Sequence, residues 1–180
     1  MIQGNFEVEA VRQFLLPYYL EIKFIHLFFV MMWAWSTGVA YFWFVKSSYL
    51  RWQRNPDCPK AKERRDWALE QFDKGVVLEH IAFPIILITG PLLYWLGGWQ
   101  LSAYWLLIKL ILITLIFVPM EAIDYWISHF GGNKTRLRKA GDPERFEKIV
   151  QWHWKFFRVT TPFVAIFIPA IIFLAVVKPF

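Results

Sequence analysis

The sequence predicts an all-α integral membrane bundle of four transmembrane helices with short interfacial helices. Three observations carry that prediction. Of the 180 residues, 57% are hydrophobic and 20% aromatic, whereas soluble domains hold roughly 45–50% apolar residues. Four apolar stretches, at about 20–45, 76–97, 101–128 and 156–177, are each long enough to cross a hydrocarbon core of roughly 30 Å. The basic residues gather in the first and third connections, with eight Lys/Arg between Lys46 and Lys74 and seven between Lys134 and Lys155, while the short second connection has none. The mean hydropathy of +0.37 agrees. The chain length suits one domain, 1–180, of four spans and no separate soluble unit.

In chain order, residues 5–18 are mildly amphipathic and end at Pro17, which predicts an interfacial helix anchored by Tyr18 and Tyr19. The start lacks the basic n-region and short apolar core of a signal peptide. Span one follows, with 19 uncharged residues between His26 and Lys46, and unpaired backbone is not tolerated in lipid, so it is helical. A polar loop is expected at 46–75, broken at Asn55-Pro56-Asp57-Cys58-Pro59, with a helix from Lys60 to Lys74 that lays Trp67 and Phe72 on the membrane surface. Span two is interrupted by Pro84 and Gly90-Pro91, and Gly97-Gly98 turns the chain into span three, which Gly131-Gly132 ends. Span four leads to Lys178-Pro179-Phe180. There is no internal repeat, and the single Cys58 argues against a disulfide scaffold.

The positive-inside rule places both basic connections in the cytoplasm and both termini outside, in a bacterial-type inner membrane. The net charge of +6 is then a topogenic signal beside anionic lipid, and not a nucleic-acid patch.

Ionisable residues inside spans are functional candidates. Lys23, His26 and Trp33 share one face of span one, although His26 can also be read as an interfacial ring among headgroups. Lys109 lies eight residues into span three, where it either snorkels outward or meets a carboxylate such as a cofactor propionate. Glu79, His80, Glu121, Asp124, His129, His153 and Arg158 fall near the cytoplasmic ends of spans two to four. Glu121 and Asp124 share a face, and at least one should pair with Arg158 or a histidine, because an isolated carboxylate there is costly. A metal centre is one reading of this lower cluster, but the chain has no Glu-x-x-His pair. A b-type haem needs one or two imidazoles, an apolar slot and cations for its propionates. His26 and Lys109 supply these on spans one and three, with Trp33, Trp35 and Trp105 as slot walls. His80 is a second candidate iron ligand with Arg158 placed for a propionate, or a helix-start residue facing water.

Four short motifs stand in register along the spans: Lys23-x-x-His26 with Trp33; Pro84 with Thr89-Gly90; Trp105-x-x-x-Lys109-Leu110; and Phe157-Arg158 with the terminal Lys178-Pro179-Phe180. Together they resemble the HemJ-type protoporphyrinogen oxidases over all four spans. The resemblance implies a four-helix haem b protein that oxidises a porphyrinogen with the respiratory chain as electron sink. It implies His26 as iron ligand, functional-motif roles for Trp33, Lys109 and Arg158, and catalytic roles for Lys109 and Arg158. Porphyrin or quinone would be its small-molecule partner, within a homo-oligomer or a larger membrane complex. The chain departs from the pattern at Met120, where the family has a histidine, and at Thr161-Pro162, where it has Asn and Glu. A second iron ligand would then come from elsewhere, His80 being the mid-chain candidate. The other readings are an accessory subunit of a respiratory or photosynthetic complex, packing through its 11 Trp and 18 Phe, and, third, a transporter or sensor.

Overall fold

Helix follows helix with few breaks, and the breaks sit where proline or glycine chemistry allows them. The structure is a computed structural model describing residues 2–179, apart from the side chains of residues 2–6, Ser36 and Thr37. Helix α1 (Ile2–Leu15) passes through a 3-10 turn, Leu16–Tyr18, into α2 (Tyr19–Ala40). Pro17 stands at the start of that turn, where its missing N–H costs nothing, so the expected separate interfacial helix is instead the first part of a continuous one. A π-helical turn, Tyr41–Lys46, hands α2 on to α3 (Ser47–Arg54). From Glu7 to Arg54 the helix is 48 residues long, or ~72 Å, more than twice the hydrocarbon thickness. The loop expected after Lys46 is therefore helix, and it reaches well past the apolar segment.

Pro59 opens α4 (Pro59–Gly75), and only Val76 separates it from α5 (Val77–Leu96). The surface role expected for residues 60–74 is corrected: α4 packs into the bundle, where Phe72 is buried, while Trp67 stays half exposed. Gly98 takes a φ of 64° in the turn to α6 (Tyr104–Leu112), which passes through a second π-helical turn, Ile113–Phe117, into α7 (Val118–His129). At Gly132 any Cβ would collide with the Ile127 carbonyl, so glycine is required where the chain leaves α7. The Asn133 and Asp142 side chains cap α8 (Lys134–Lys139) and α9 (Pro143–Val177), accepting from the Arg136 and Arg145 amides at 2.9 Å each.

No strand occurs among the described residues, and four helices are long and apolar enough to cross a membrane, so this is a multi-pass, all-α membrane protein. Both Lys/Arg-rich connections lie at one end of the bundle, the basic end; Gly97–Ser102 marks the opposite, turn end. Helix α2 packs along α5, and α6 along α9. The main core lies toward the basic end, where Tyr41, Tyr49, Leu69, Phe72, Val150, Trp154 and Phe157 are buried together. Tyr49 stacks on Trp154 at 4.0 Å between ring centroids. At the turn end the buried cluster among the described residues is Trp105, Leu106 and Leu174.

Candidate functional site

Two sets of polar side chains are held inside the spans, and Trp33 stands between them. The first is centred on His26. Helix α5 presents Thr89 and Gly90 to it: a methyl on Gly90 would lie in ordinary contact with His26 Cε1, at 3.5 Å. His26 Nδ1 lies 2.8 Å from Thr89 Oγ1. The Thr89 hydroxyl donates its proton to the Ile85 carbonyl at 2.7 Å. Its oxygen is then the acceptor, so Nδ1 carries the hydrogen and Nε2 keeps a bare lone pair. Thr89 thus orients His26 as a carbonyl or carboxylate orients a metal-ligating imidazole.

Lys109 meets no carboxylate among the described residues. Its ammonium lies over the Trp105 ring at 5.6 Å, and Lys178, in a left-handed cap at the end of α9, lies over Trp99 at 4.1 Å and Trp105 at 5.5 Å. Two cations from different helices thus share one indole near the turn end. The Arg12 guanidinium also reaches this end, 3.9 Å from where a Cβ on Gly98 would stand.

The second set is the denser one. Trp33 packs on Phe83 and Phe117 and donates from Nε1 to Glu121 Oε1 at 2.7 Å. Asp124 Oδ1 lies 3.0 Å from His153 Nε2, and Asp124 Oδ2 lies 3.3 Å from His80 Nε2. His80 Nδ1 is 2.7 Å from His129 Nε2. On the far side, the Lys134 ammonium is fully buried and bonds both Asp73 Oδ1, at 2.6 Å, and His153 Nδ1. An ammonium only donates, so His153 Nδ1 accepts, and the ring's single hydrogen sits on Nε2 and points at Asp124. Glu79, His80 and Glu121 are each more than nine-tenths buried, yet Glu79 Oε2, His80 Nε2 and Glu121 Oε2 have no hydrogen-bond partner among the described residues. Glu79 and Glu121 line a cleft of about 130 Å³ together with Trp33, Met120, Thr160 and Thr161.

Beyond the apolar segments a separate ion-pair lattice ties the helices together. Arg65 is fully buried, makes a two-pronged pair with Glu147 at 2.6 and 2.9 Å, bonds Asp66, and lies over Trp52 at 4.0 Å. Burial works against ionised Glu147, but the Arg65 bonds and charge win and hold its carboxyl below the usual range. Asp66 goes the other way, pushed up by burial more than Arg65 pulls it down.

The sequence-derived candidates thus fall into separate places. His26 and Trp33 face the bundle from α2, and Trp33 serves the lower cluster. Lys109 belongs to the turn end. His80 stands nine residues before Thr89 on α5, ~13.5 Å lower, so His26 and His80 are not two axial ligands of one iron. Arg158 is exposed and makes no ion pair among the described residues. Its neighbour Phe157 packs on Tyr41, fifteen residues or ~22 Å along the helix from His26, so Arg158 and His26 do not share a site. Asp124 pairs with histidine on both sides, as expected for one carboxylate of its pair. No group of three His, Cys, Asp or Glu side chains is assembled to hold a metal ion among the described residues. Lys134 and Asp73 were missed as site residues because a charge count reads them as loop. The signal was the acidic stripe Asp66, Glu70, Asp73 on one face of α4, which demands cations opposite. Compared with protein families, curated proteins and solved structures, the chain matches none, so the geometry alone carries its functional reading.

Proposed function

We propose that this chain is a haem b-binding membrane oxidoreductase of the HemJ type acting on a porphyrinogen, with His26 as the iron ligand. The carrying observation is the state of that histidine: Nδ1–H is spent on Thr89, whose own proton is committed to Ile85, and Nε2 is left as a lone pair inside an apolar bundle. The donor set suits the group. One neutral imidazole is oriented by an oxygen acceptor, and two ammonium groups, Lys109 and Lys178, share Trp105 toward the turn end, suited to propionates or substrate carboxylates. A bound haem would supply one-electron transfer. His26 would hold and orient it, while Lys109 and Lys178 would bind its carboxylates. The cleft beside Glu121 is not the haem slot in this reading, because His26 does not line it and about 130 Å³ is below the range for organic cofactors. Met120, at the position of the family's second histidine, lines that cleft, so His26 is offered as the only protein ligand. The same reading places the basic end in the cytoplasm of a bacterial-type cell and both termini outside.

The test is the optical spectrum of the purified protein beside His26→Ala and Thr89→Val. Wild type should show a Soret band, His26→Ala should lose it, and Thr89→Val should keep it with weakened binding. A colourless wild type, or full haem in His26→Ala, overturns the reading. Subunits co-purifying in fixed ratio with colourless protein would favour the accessory-subunit alternative. Orientation is checked by labelling Ser102→Cys and Lys139→Cys in intact cells; labelling of position 139 from outside reverses the topology.

A further inference from the structure

The lower cluster contains a connected path of exchangeable groups that the haem reading does not use. The geometry points to a proton relay from the aqueous phase at the basic end, through His129 and His80, to the Glu79–Glu121 carboxyl pair on the cleft wall, with Asp124 as the fixed counter-ion of His80. The relay stands on contacts distinct from His26 and does not depend on the haem.

Partly exposed at the end of α7, His129 meets the water, and its Nε2 is 2.7 Å from His80 Nδ1. An imidazole can take a proton on one nitrogen and give one up from the other, so His80 joins the two sides of its ring. Its Nε2 faces Asp124 Oδ2 at 3.3 Å and Glu121 Oε2 at 4.0 Å and is hydrogen-bonded to neither. It therefore stands between two carboxylates without being locked to either, a small rotation from Glu121.

The groups around His80 differ in freedom. From α9, His153 Nε2–H is pinned onto Asp124, and it is held in that tautomer by Lys134, which Asp73 of α4 holds in turn. Asp124 thus has a fixed donor and serves as the anion that stabilises a transient His80 imidazolium. From α7, Tyr125 packs edge-on against the His80 ring. Glu79 of α5 and Glu121 of α7 line the same cleft, and each leaves one buried oxygen unpartnered. Two adjacent buried carboxylates without a counter-cation do not both stay ionised, so the pair is a place to hold and release a proton.

Each passage moves one proton from His129 Nε2 to His80 Nδ1 and one from His80 Nε2 to Glu121 Oε2. His129 takes a replacement proton from water on Nδ1, and a half-turn of each imidazole ring restores the first tautomer for the next passage. No electron moves and no bond to carbon changes.

The experiment uses infrared spectroscopy of the full-length protein in lipid nanodiscs, following the carbonyl stretch of the protonated carboxyl pair after a switch to D2O. Wild type should show a D2O-sensitive band that Glu121→Gln or Glu79→Gln removes. In His129→Ala the downshift should slow by about a hundredfold, on the order of what a positioned acid–base group contributes, and added imidazole should restore the rate. Restoration separates a relay from a merely structural histidine, and an unchanged thermal unfolding midpoint shows that the variant is folded. The absence of such a band in wild type, an unslowed downshift in His129→Ala, or a slowed rate that imidazole leaves untouched overturns the relay. A haem spectrum unaltered in His129→Ala keeps this outcome separate from that of the His26 assignment.

Discussion

The two ends of the bundle are built on different principles. At the turn end, the helices meet through a few apolar contacts, and the charged side chains Lys109 and Lys178 sit over indole rings without a counter-ion among the described residues. At the basic end, a broad aromatic core is interlocked with buried ion pairs, in which Arg65 and Lys134 are sealed from solvent. Lipid tails are as apolar as leucine, so apolar burial adds little within the membrane. Outside it, water drives the burial of Tyr49, Leu69 and Phe72 at about 25 cal/mol per Å². Stability therefore belongs to the basic end, and the turn end contributes little to it.

The largest test of that division is Lys134→Met. Removing it strands Asp73 without its cation and should cost about 3–5 kcal/mol in unfolding free energy, whereas Lys109→Met should leave the unfolding midpoint nearly unchanged. Equal losses in a denaturant titration would end the comparison. Next, Leu69→Ala, fully buried in the core, should cost about 2–5 kcal/mol. Leu115→Ala removes a side chain that is 69% exposed on the membrane face and should be close to neutral. A smaller effect is expected at the Arg65–Glu147 pair. Because the Glu147 carboxyl is held below its ordinary value of 4.5, its contribution is present above that value and is lost as pH falls through the lower folded value. Thermal unfolding of wild type and Glu147→Gln should thus differ at neutral pH and converge in acid; parallel pH curves would show that the pair contributes nothing. A modest loss is expected at the His26 site: Thr89→Val removes one hydrogen bond from His26 and should lower stability by about 1 kcal/mol.

The spans were legible because lipid imposes length and apolarity directly on the sequence, and neither Pro84 nor Pro91 breaks α5. The extension past Lys46 was not, because Lys46, Arg51 and Arg54 look the same on a protruding helix as on a loop. Charge alone also misread Arg65 and Lys134: counted toward topology, each proves to be a buried strut whose partner lies 82 or 61 residues away. The cluster around Asp124 was legible by depth, since each residue's distance from its span end placed it at one level. Its hydrogen-bond order was not, because that depends on which rings α7 and α9 turn inward. His26 and Thr89 each occupy a resemblance motif, but nothing in either motif says that they touch.

The π-helical turns Tyr41–Lys46 and Ile113–Phe117 have a consequence for evolution. Such a turn accommodates an added residue without breaking a helix, so each marks a place where a relative could differ by a one-residue insertion or deletion. Tyr41 lines the cleft, and Phe117 packs on Trp33 beside it. A deletion within either turn would leave the spans intact and rotate one half of the helix by about 100° against the other. It would carry the cleft wall out of phase with the buried struts. Length variation at these two places, silent in hydropathy, would report a change of chemistry in a fold that otherwise stays the same.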